Sequence, residues 1–311
     1  IALVLSLLAV ASLLAGCGSG KGTTVNSGEK SVTFSLLSSP ASLDPATTTD
    51  GSSLMVETQL FSMLVDSKGG NSSEIKPDIA ESWDISEDGL TYTFKLRDDV
   101  YFHNGKLLTA DDVVYTFNRV MTEPYTSYYA APIKSVEATD EHTFVAHLNY
   151  PFADFLTLIG GIYFGICCEE AITAGTDFMY KPVGTGPYKL EGGYIPGQAF
   201  KFVYNDQYYG AEPDIKEINF KIQPDTNTAV ISLQNGEVDF IPALTVNDIG
   251  TIENDENLAL YQAPSYTIHY VCFNKNNAPW NIKEVRQAIN YAINKQDLLD
   301  GALNGIGTIA N

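Results

Sequence analysis

Residues 79–119 read IAESWDISEDGLTYTFKLRDDVYFHNGKLLTADDVVYTFNR, and few folds accommodate such a string. A strand leaving Trp83 meets a turn at Glu87-Asp88-Gly89. The strand after it sets Leu90, Tyr92, Phe94 and Leu96 on one face, a hairpin signal. A second turn falls at His103-Asn104-Gly105. Thr109 then stands as an N-cap with an acid, Asp112, three residues on. The helix that follows gathers Val113, Val114, Phe117 and Val120 into one apolar stripe, so it is expected to lie on the sheet. Nothing in this stretch is catalytic.

The chain has 311 residues, enough for about two domains. A formal net charge of −20 repels polyanions, which argues against nucleic acid as a partner. The acidity itself reads as solubility and identifies no ligand. The four histidines (103, 142, 147 and 269) show no metal-ligand spacing. GxSxG and SxxK are absent, and Gly184-Thr185-Gly186 is not followed by a phosphate-loop GK[ST]. Asp111-Asp112 and Glu169-Glu170 read as helix-start and solvated charges. No enzyme, cofactor or metal site is therefore expected. Cys167-Cys168 sits in an apolar run and reads as two small buried thiols, because a vicinal disulfide would be strained. Cys272 has no evident partner.

Residues 1–15 are apolar except for Ser6 and Ser12, too short a run to span a bilayer comfortably. They end in Leu14-Ala15-Gly16-Cys17, which resembles a bacterial lipobox, so Cys17 is expected to be lipidated and the sequence to begin inside its own signal peptide. Residues 18–31, rich in Gly, Ser, Thr and Lys, read as a flexible tether. A strand over 32–37 leads to Ser38-Ser39-Pro40-Ala41-Ser42 and then Leu43-Asp44-Pro45. Helical spacing covers 53–64, a hairpin 136–148 and a helix 151–161. After Pro182-Val183-Gly184-Thr185-Gly186-Pro187-Tyr188 come strands at 199–204 and 217–222. A helix over 226–235, capped by Asp225 and ended by Gly236, then leads to 237–241 as a βαβ unit. Residues 263–274 read as a strand. Asn281 and Glu284 open a further helix, with Val285, Ala288, Ile289, Ala292 and Ile293 on its apolar face.

Four of these strings, AESW…DGLTYTF-x-LR…FH-x-G…LTA-x-DVV, PVGTGPY, LQNGEVDF and VRQAINYAINKQDLLDG, resemble the family 5 extracellular solute-binding proteins, the peptide- and nickel-type receptors of ABC importers. The resemblance implies an α/β, periplasmic-binding-protein-like two-lobed clamp of type II (cluster C-like) with an extra α+β subdomain. Residues 1–17 would be the lipoprotein signal and 18–31 the tether. Residues 32–50 and 182–270 would form the first lobe, 51–181 the α+β subdomain, and 271–311 the start of a second lobe that is mostly missing. The implied function is capture of di- or oligopeptides outside the membrane for an ABC permease and its ATPase. Alternatives are a receptor for nickel or another small solute on the same fold, or a surface peptide sensor without transport. The expected protein is a monomer anchored through Cys17, on the cell surface or the periplasmic side. Ser38, Ser39, Pro40, Ala41 and Ser42 would line the cleft, largely through backbone groups, although a plain Ser/Pro turn explains them equally. Thr185, Tyr266, His269 and Tyr270 complete the expected ligand set, against a reading of His269 as a satisfied histidine in a buried strand. In peptide-binding relatives the acid that meets the peptide's α-ammonium lies in the second lobe, so this chain alone is expected to hold peptide weakly.

Overall fold

The computed structural model describes residues 30–67, 74–263 and 268–309. Cys17, the tether up to residue 29, and Tyr266 lie outside the described residues. In chain order the elements are β1 (Lys30–Leu36), α1 (Gly51–Leu60), β2 (Val65–Asp66), β3 (Lys76–Pro77), β4 (Ala80–Ile85), β5 (Thr91–Leu96), α2 (Ala110–Thr122), β6 (Ile133–Asp140) and β7 (Thr143–Leu148). There follow α3 (Phe155–Ile159), a 3-10 turn (Ile162–Phe164), α4 (Glu169–Thr173), β8 (Tyr188–Glu191), β9 (Phe200–Tyr204), β10 (Ile215–Ile222), α5 (Thr226–Gln234), α6 (Ile249–Glu253), α7 (Lys283–Ala292) and α8 (Lys295–Leu303).

One sheet has the order β4-β5-β7-β6, antiparallel throughout. The expected hairpin β4–β5 forms one side of it, with β4 at the edge: Gly89 takes φ 68° at the turn, and Trp83 pairs with Phe94, which in turn pairs with Phe144 in β7. Such cross-strand aromatic pairs stabilise a sheet beyond simple area burial. The helix α2 covers this face. Its Phe117 ring lies 4.7 Å from Phe144 and 5.0 Å from Phe164, and Val113, Phe117 and Val120 are fully buried. Val114, expected in the same stripe, is only half-buried. At the start of α2 the Asp112 carboxylate accepts the Thr109 N–H at 3.1 Å and the Lys106 ammonium at 2.6 Å.

The second sheet runs β1-β10-β9-β8, with β1 parallel to β10 and the other pairs antiparallel. The Asp225 carboxylate accepts the Thr228 N–H at 2.8 Å to cap α5, and Gly236 takes φ 71° just past its end. The chain then returns parallel to β1, where the Ser35 N–H donates to the Phe240 carbonyl at 2.9 Å. The βαβ crossover is therefore present with β1 lying between its two strands.

Several boundaries differ from expectation. The helix α1 starts at residue 51 because the Asp50 carboxylate accepts the Ser53 N–H, and it ends at Leu60 because Phe61 is extended. Only Phe155–Ile159 of the expected 151–161 helix is helical. Residues 268–274 form no strand, correcting the reading of 263–274; among the described residues nothing flanks them to complete a hydrogen-bonded ladder. The N-cap of α7 is Ile282 rather than Asn281, and no residue of α7 or α8 is buried. Cys167 and Cys168 are free and buried, as expected, while Cys272 is free and exposed.

Candidate functional site

The loop 38–42 is fastened from behind by the first turn of α1 and by Tyr194. The Ser53 hydroxyl accepts the Ala41 N–H at 2.9 Å and the Ser42 N–H at 3.3 Å, while donating to Asp50. The Tyr194 hydroxyl donates to the Pro40 carbonyl, so the Ser39 hydroxyl beside it donates to the tyrosine oxygen. The Ser39 oxygen also accepts the Gly197 N–H at 2.8 Å. Burial works against the Asp50 charge, yet bonds from Ser53 and Thr48 hold that carboxyl below its ordinary range. Three backbone groups of the loop are thus already engaged. Ser38 and Ala41 are exposed, Ser39 is half-buried, and Pro40 and Ser42 are buried.

The end of the loop is held by an ion pair. Arg119, in the last turn of α2, forks onto both oxygens of Asp44 at 3.1 and 2.7 Å. Burial opposes the guanidinium charge, but the facing carboxylate raises its pKa above the usual arginine value. A two-pronged contact of this kind fixes direction as well as distance. Nearby, Glu57 of α1 is fully buried, and neither of its carboxyl oxygens has a partner among the described residues. Burial, followed by the negative charges of Asp44 and Asp50, pushes Glu57 up to about 9, so it is a neutral acid at neutral pH.

His103 and the Gly184-Thr185-Gly186 turn form a clasp between the two sheets. The His103 N–H donates to the Gly184 carbonyl at 2.8 Å, and the Gly184 N–H returns a bond to His103 Nδ1 at 3.3 Å. With Nδ1 accepting, the ring proton is on Nε2, which donates to the Gly186 carbonyl at 3.2 Å. Burial lowers His103 to about 4, so the ring is neutral near pH 7. The glycines are required by α1: a Cβ at Gly184 would lie 2.1 Å from the Leu60 carbonyl oxygen, and one at Gly186 2.5 Å from the Leu60 carbonyl carbon. Thr185 is fully buried, and its hydroxyl has no partner among the described residues. Its side chain is therefore enclosed by the protein in this structure.

His269 and Tyr270 are both exposed, Tyr270 at 78%. They do not converge with the 38–42 loop through any contact among the described residues. Among the described residues no group of three or more His, Cys, Asp or Glu side chains gathers as a metal ion would need.

The sequence reading missed a surface ladder of tyrosines. The Tyr128 and Tyr129 ring centroids lie 3.9 Å apart, and Tyr129 and Tyr163 lie 4.1 Å apart at 22°. Tyr128 is 67% exposed and neighbouring Tyr125 62%. Thr126, inside this segment, donates to the Ala46 carbonyl at 3.2 Å, tying the ladder to the chain just past the 38–42 loop. The cluster PYTSYY was the available signal, but its stacking on Tyr163 depends on the packing of α2 against the 3-10 turn.

Residues 74–311 match the model of "Bacterial extracellular solute-binding proteins, family 5 Middle". Heme-binding protein A of Haemophilus influenzae is 34% identical over 298 residues, covering 87% of this chain and 54% of that protein. The dipeptide-binding protein of Escherichia coli is 30% identical over 308 residues, covering 90% and 57% respectively. The structure of the ABC transporter-associated periplasmic binding protein DppA from Helicobacter pylori, in complex with peptide STSA, superposes with a TM-score of 0.81 at 30% identity, covering 88% of this chain and 58% of that one. The chain spans about half the length of the curated relatives it matches. Its two four-stranded sheets, one antiparallel and one mixed, are those of the periplasmic-binding-protein-like clamp. By its sequence match and by its fold, the chain belongs to the family 5 bacterial extracellular solute-binding proteins.

Proposed function

We propose that the protein is the substrate-binding component of an ABC importer that captures short peptides outside the cytoplasmic membrane and hands them to a permease. The observation that carries this reading is the likeness, at TM-score 0.81, to a binding protein solved with the peptide STSA. The 38–42 loop and the tyrosine ladder would form one wall of the site. A rigid loop lowers the ordering cost of binding, and stacked tyrosines offer broad contact area at little entropic cost. Lipidation at Cys17, a monomeric state and attachment to the membrane belong to the same proposal. So do the division into a first lobe (32–50 and 182–270), a subdomain (51–181) and the start of a second lobe, and the roles of Thr185, Tyr266, His269 and Tyr270.

Calorimetric titration of the full-length protein with di- and tripeptides tests the ligand. Saturable binding, weakened by roughly tenfold in Tyr128→Ala, is expected for an aromatic contact at a binding hot spot. The name of the Haemophilus influenzae relative supplies a second reading, haem. A shifted Soret band on adding hemin, with no heat from any peptide, would replace the first reading with the second. Incorporation of labelled fatty acid, lost in Cys17→Ser, tests the anchor.

A further inference from the structure

Ser53 and Glu57 stand one turn apart on the buried face of α1, where residues four positions apart are neighbours. Both are fully buried, and they meet opposite fates. The Ser53 hydroxyl is saturated, donating to Asp50 and accepting the Ala41 and Ser42 N–H groups of the 38–42 loop. Neither carboxyl oxygen of Glu57 has a partner among the described residues. An acid placed directly behind a ligand-facing loop, and held there without a partner, is stable only in its neutral form, because a buried charge is tolerated only beside one of opposite sign.

The groups around Glu57 supply no such charge. Asp44, just past the loop, and Asp50, at the N-cap of α1, both oppose its ionisation after burial itself. From α2, Arg119 is the cation of this cluster, and it is committed to both oxygens of Asp44. Tyr115 of the same helix, Tyr194 beside the loop and the Cys167 thiol are all held neutral by burial first. The strand β8 and the 3-10 turn also pack on α1. Their titratable groups point their bonds elsewhere: Tyr188 to the Ile215 carbonyl, Lys189 to Asp206, Glu191 to Lys201, and Tyr163 onto the Tyr129 ring.

Loss of the Glu57 proton therefore has two outlets. Arg119 turns from Asp44 towards Glu57, or the loop opens and admits water. Both undo the same segment, because Asp44 anchors the chain on each side: its N–H donates to the Ser42 hydroxyl at 3.0 Å, and its Oδ1 accepts the Ala46 N–H at 3.2 Å. We propose that Glu57 is a proton switch for the ligand site: its protonated form holds the 38–42 loop rigid, and its ionisation releases the loop and weakens ligand capture. The switch rests on the reading of that loop as a wall of the ligand site. Since a rigid loop lowers the ordering cost of binding, affinity is full while Glu57 keeps its proton and falls as the pH rises through about 9.

The test follows the ¹³C-labelled alanine methyls of the full-length protein through the alkaline range, without ligand. The Ala41 and Ala46 methyls are expected to shift together with a midpoint near 9, and to lose that transition in Glu57→Gln, whose amide keeps the size of the acid and cannot ionise. Asp50→Asn retains a good N-cap but removes one opposing charge, and is expected to lower the midpoint. Peptide titrations of the parent and of Glu57→Gln are then compared. The parent is expected to lose roughly tenfold more affinity than the variant between about pH 7 and about pH 10, as its competent fraction falls. The peptide's own α-ammonium titrates near pH 8 for both proteins, so the difference between them is the readout. The proposal is overturned by an absence of the methyl transition in the parent, by its persistence in Glu57→Gln, or by equal losses of affinity. If no peptide binds at neutral pH, the peptide reading fails by itself, and the methyl titration still decides whether Glu57 governs the loop.

Discussion

The helices α2 and α7 carry the same kind of pattern, and the protein uses them differently. In α2 the apolar residues at i, i+4 and i+7 (Val113, Phe117 and Val120) are fully buried against the first sheet and the 3-10 turn. In α7, Val285 and Ile289 repeat that spacing, yet nothing on the helix is buried and these two are only half-covered. Amphipathic spacing states which face of a helix is apolar, and stability comes when a counter-surface removes that face from water. The two helices measure the separate worth of pattern and burial.

The largest expected effect lies on the packed side. Phe117→Ala should destabilise the protein by about 3–5 kcal/mol in denaturant unfolding, because it empties a site bounded by Phe144 and Phe164. Arg119→Met belongs in the same range, about 3–5 kcal/mol, since it leaves Asp44 buried without its partner. A cost below about 1 kcal/mol for either would mean that this region owes less to burial than its geometry implies.

Next come two titratable groups, His103 and Glu57, which sharpen the comparison because one is satisfied and the other is not. Folding lowers His103 from 6.5 to about 4, so the unfolded chain takes up the proton first. Its contribution is complete above pH 6.5 and falls by about 3 kcal/mol as the pH drops to 4. Glu57 has the opposite sign. It is raised from 4.5 to about 9, so the folded chain holds a proton that the unfolded chain has shed. Its contribution is complete below pH 4.5 and is lost as pH rises towards 9. Stability-against-pH curves should therefore lose an acid-side slope in His103→Asn and an alkaline-side slope in Glu57→Gln. At pH 7 Glu57→Gln should be more stable than the parent by up to about 3 kcal/mol. Unchanged slopes would contradict the burial of both groups.

The smallest effect belongs to α7. Ile289→Ala should cost less than about 1 kcal/mol in the 311-residue chain. A loss as large as that of Phe117→Ala would break the comparison outright and place a covering surface over α7.

Much of this fold was legible because its signals act over a few residues. The Gly89 turn, the Asp112 carboxylate at the start of α2 and the Asp225 cap of α5 each involve partners at most a few positions apart. Short-range geometry of this kind is written in residue order. The strand reading failed over 268–274, the described part of 263–274, because a strand needs a neighbour and alternation alone supplies none. Residue order names Thr185 as a ligand candidate, and only the packing of its flanking glycines against Leu60 shows that its side chain is buried in this structure.

The sequence by itself determined the hairpin, the caps, the amphipathic faces and the family strings, since each is a local pattern of side-chain size and polarity. Tertiary structure alone decided how His103 holds a turn 81 residues away, how Arg119 holds Asp44 across 75, and how Tyr163 completes the tyrosine ladder. It alone decided that Glu57 stays protonated. The physical reason is that desolvation and hydrogen-bond partners belong to the packed environment, and that environment is built by elements far apart in the chain.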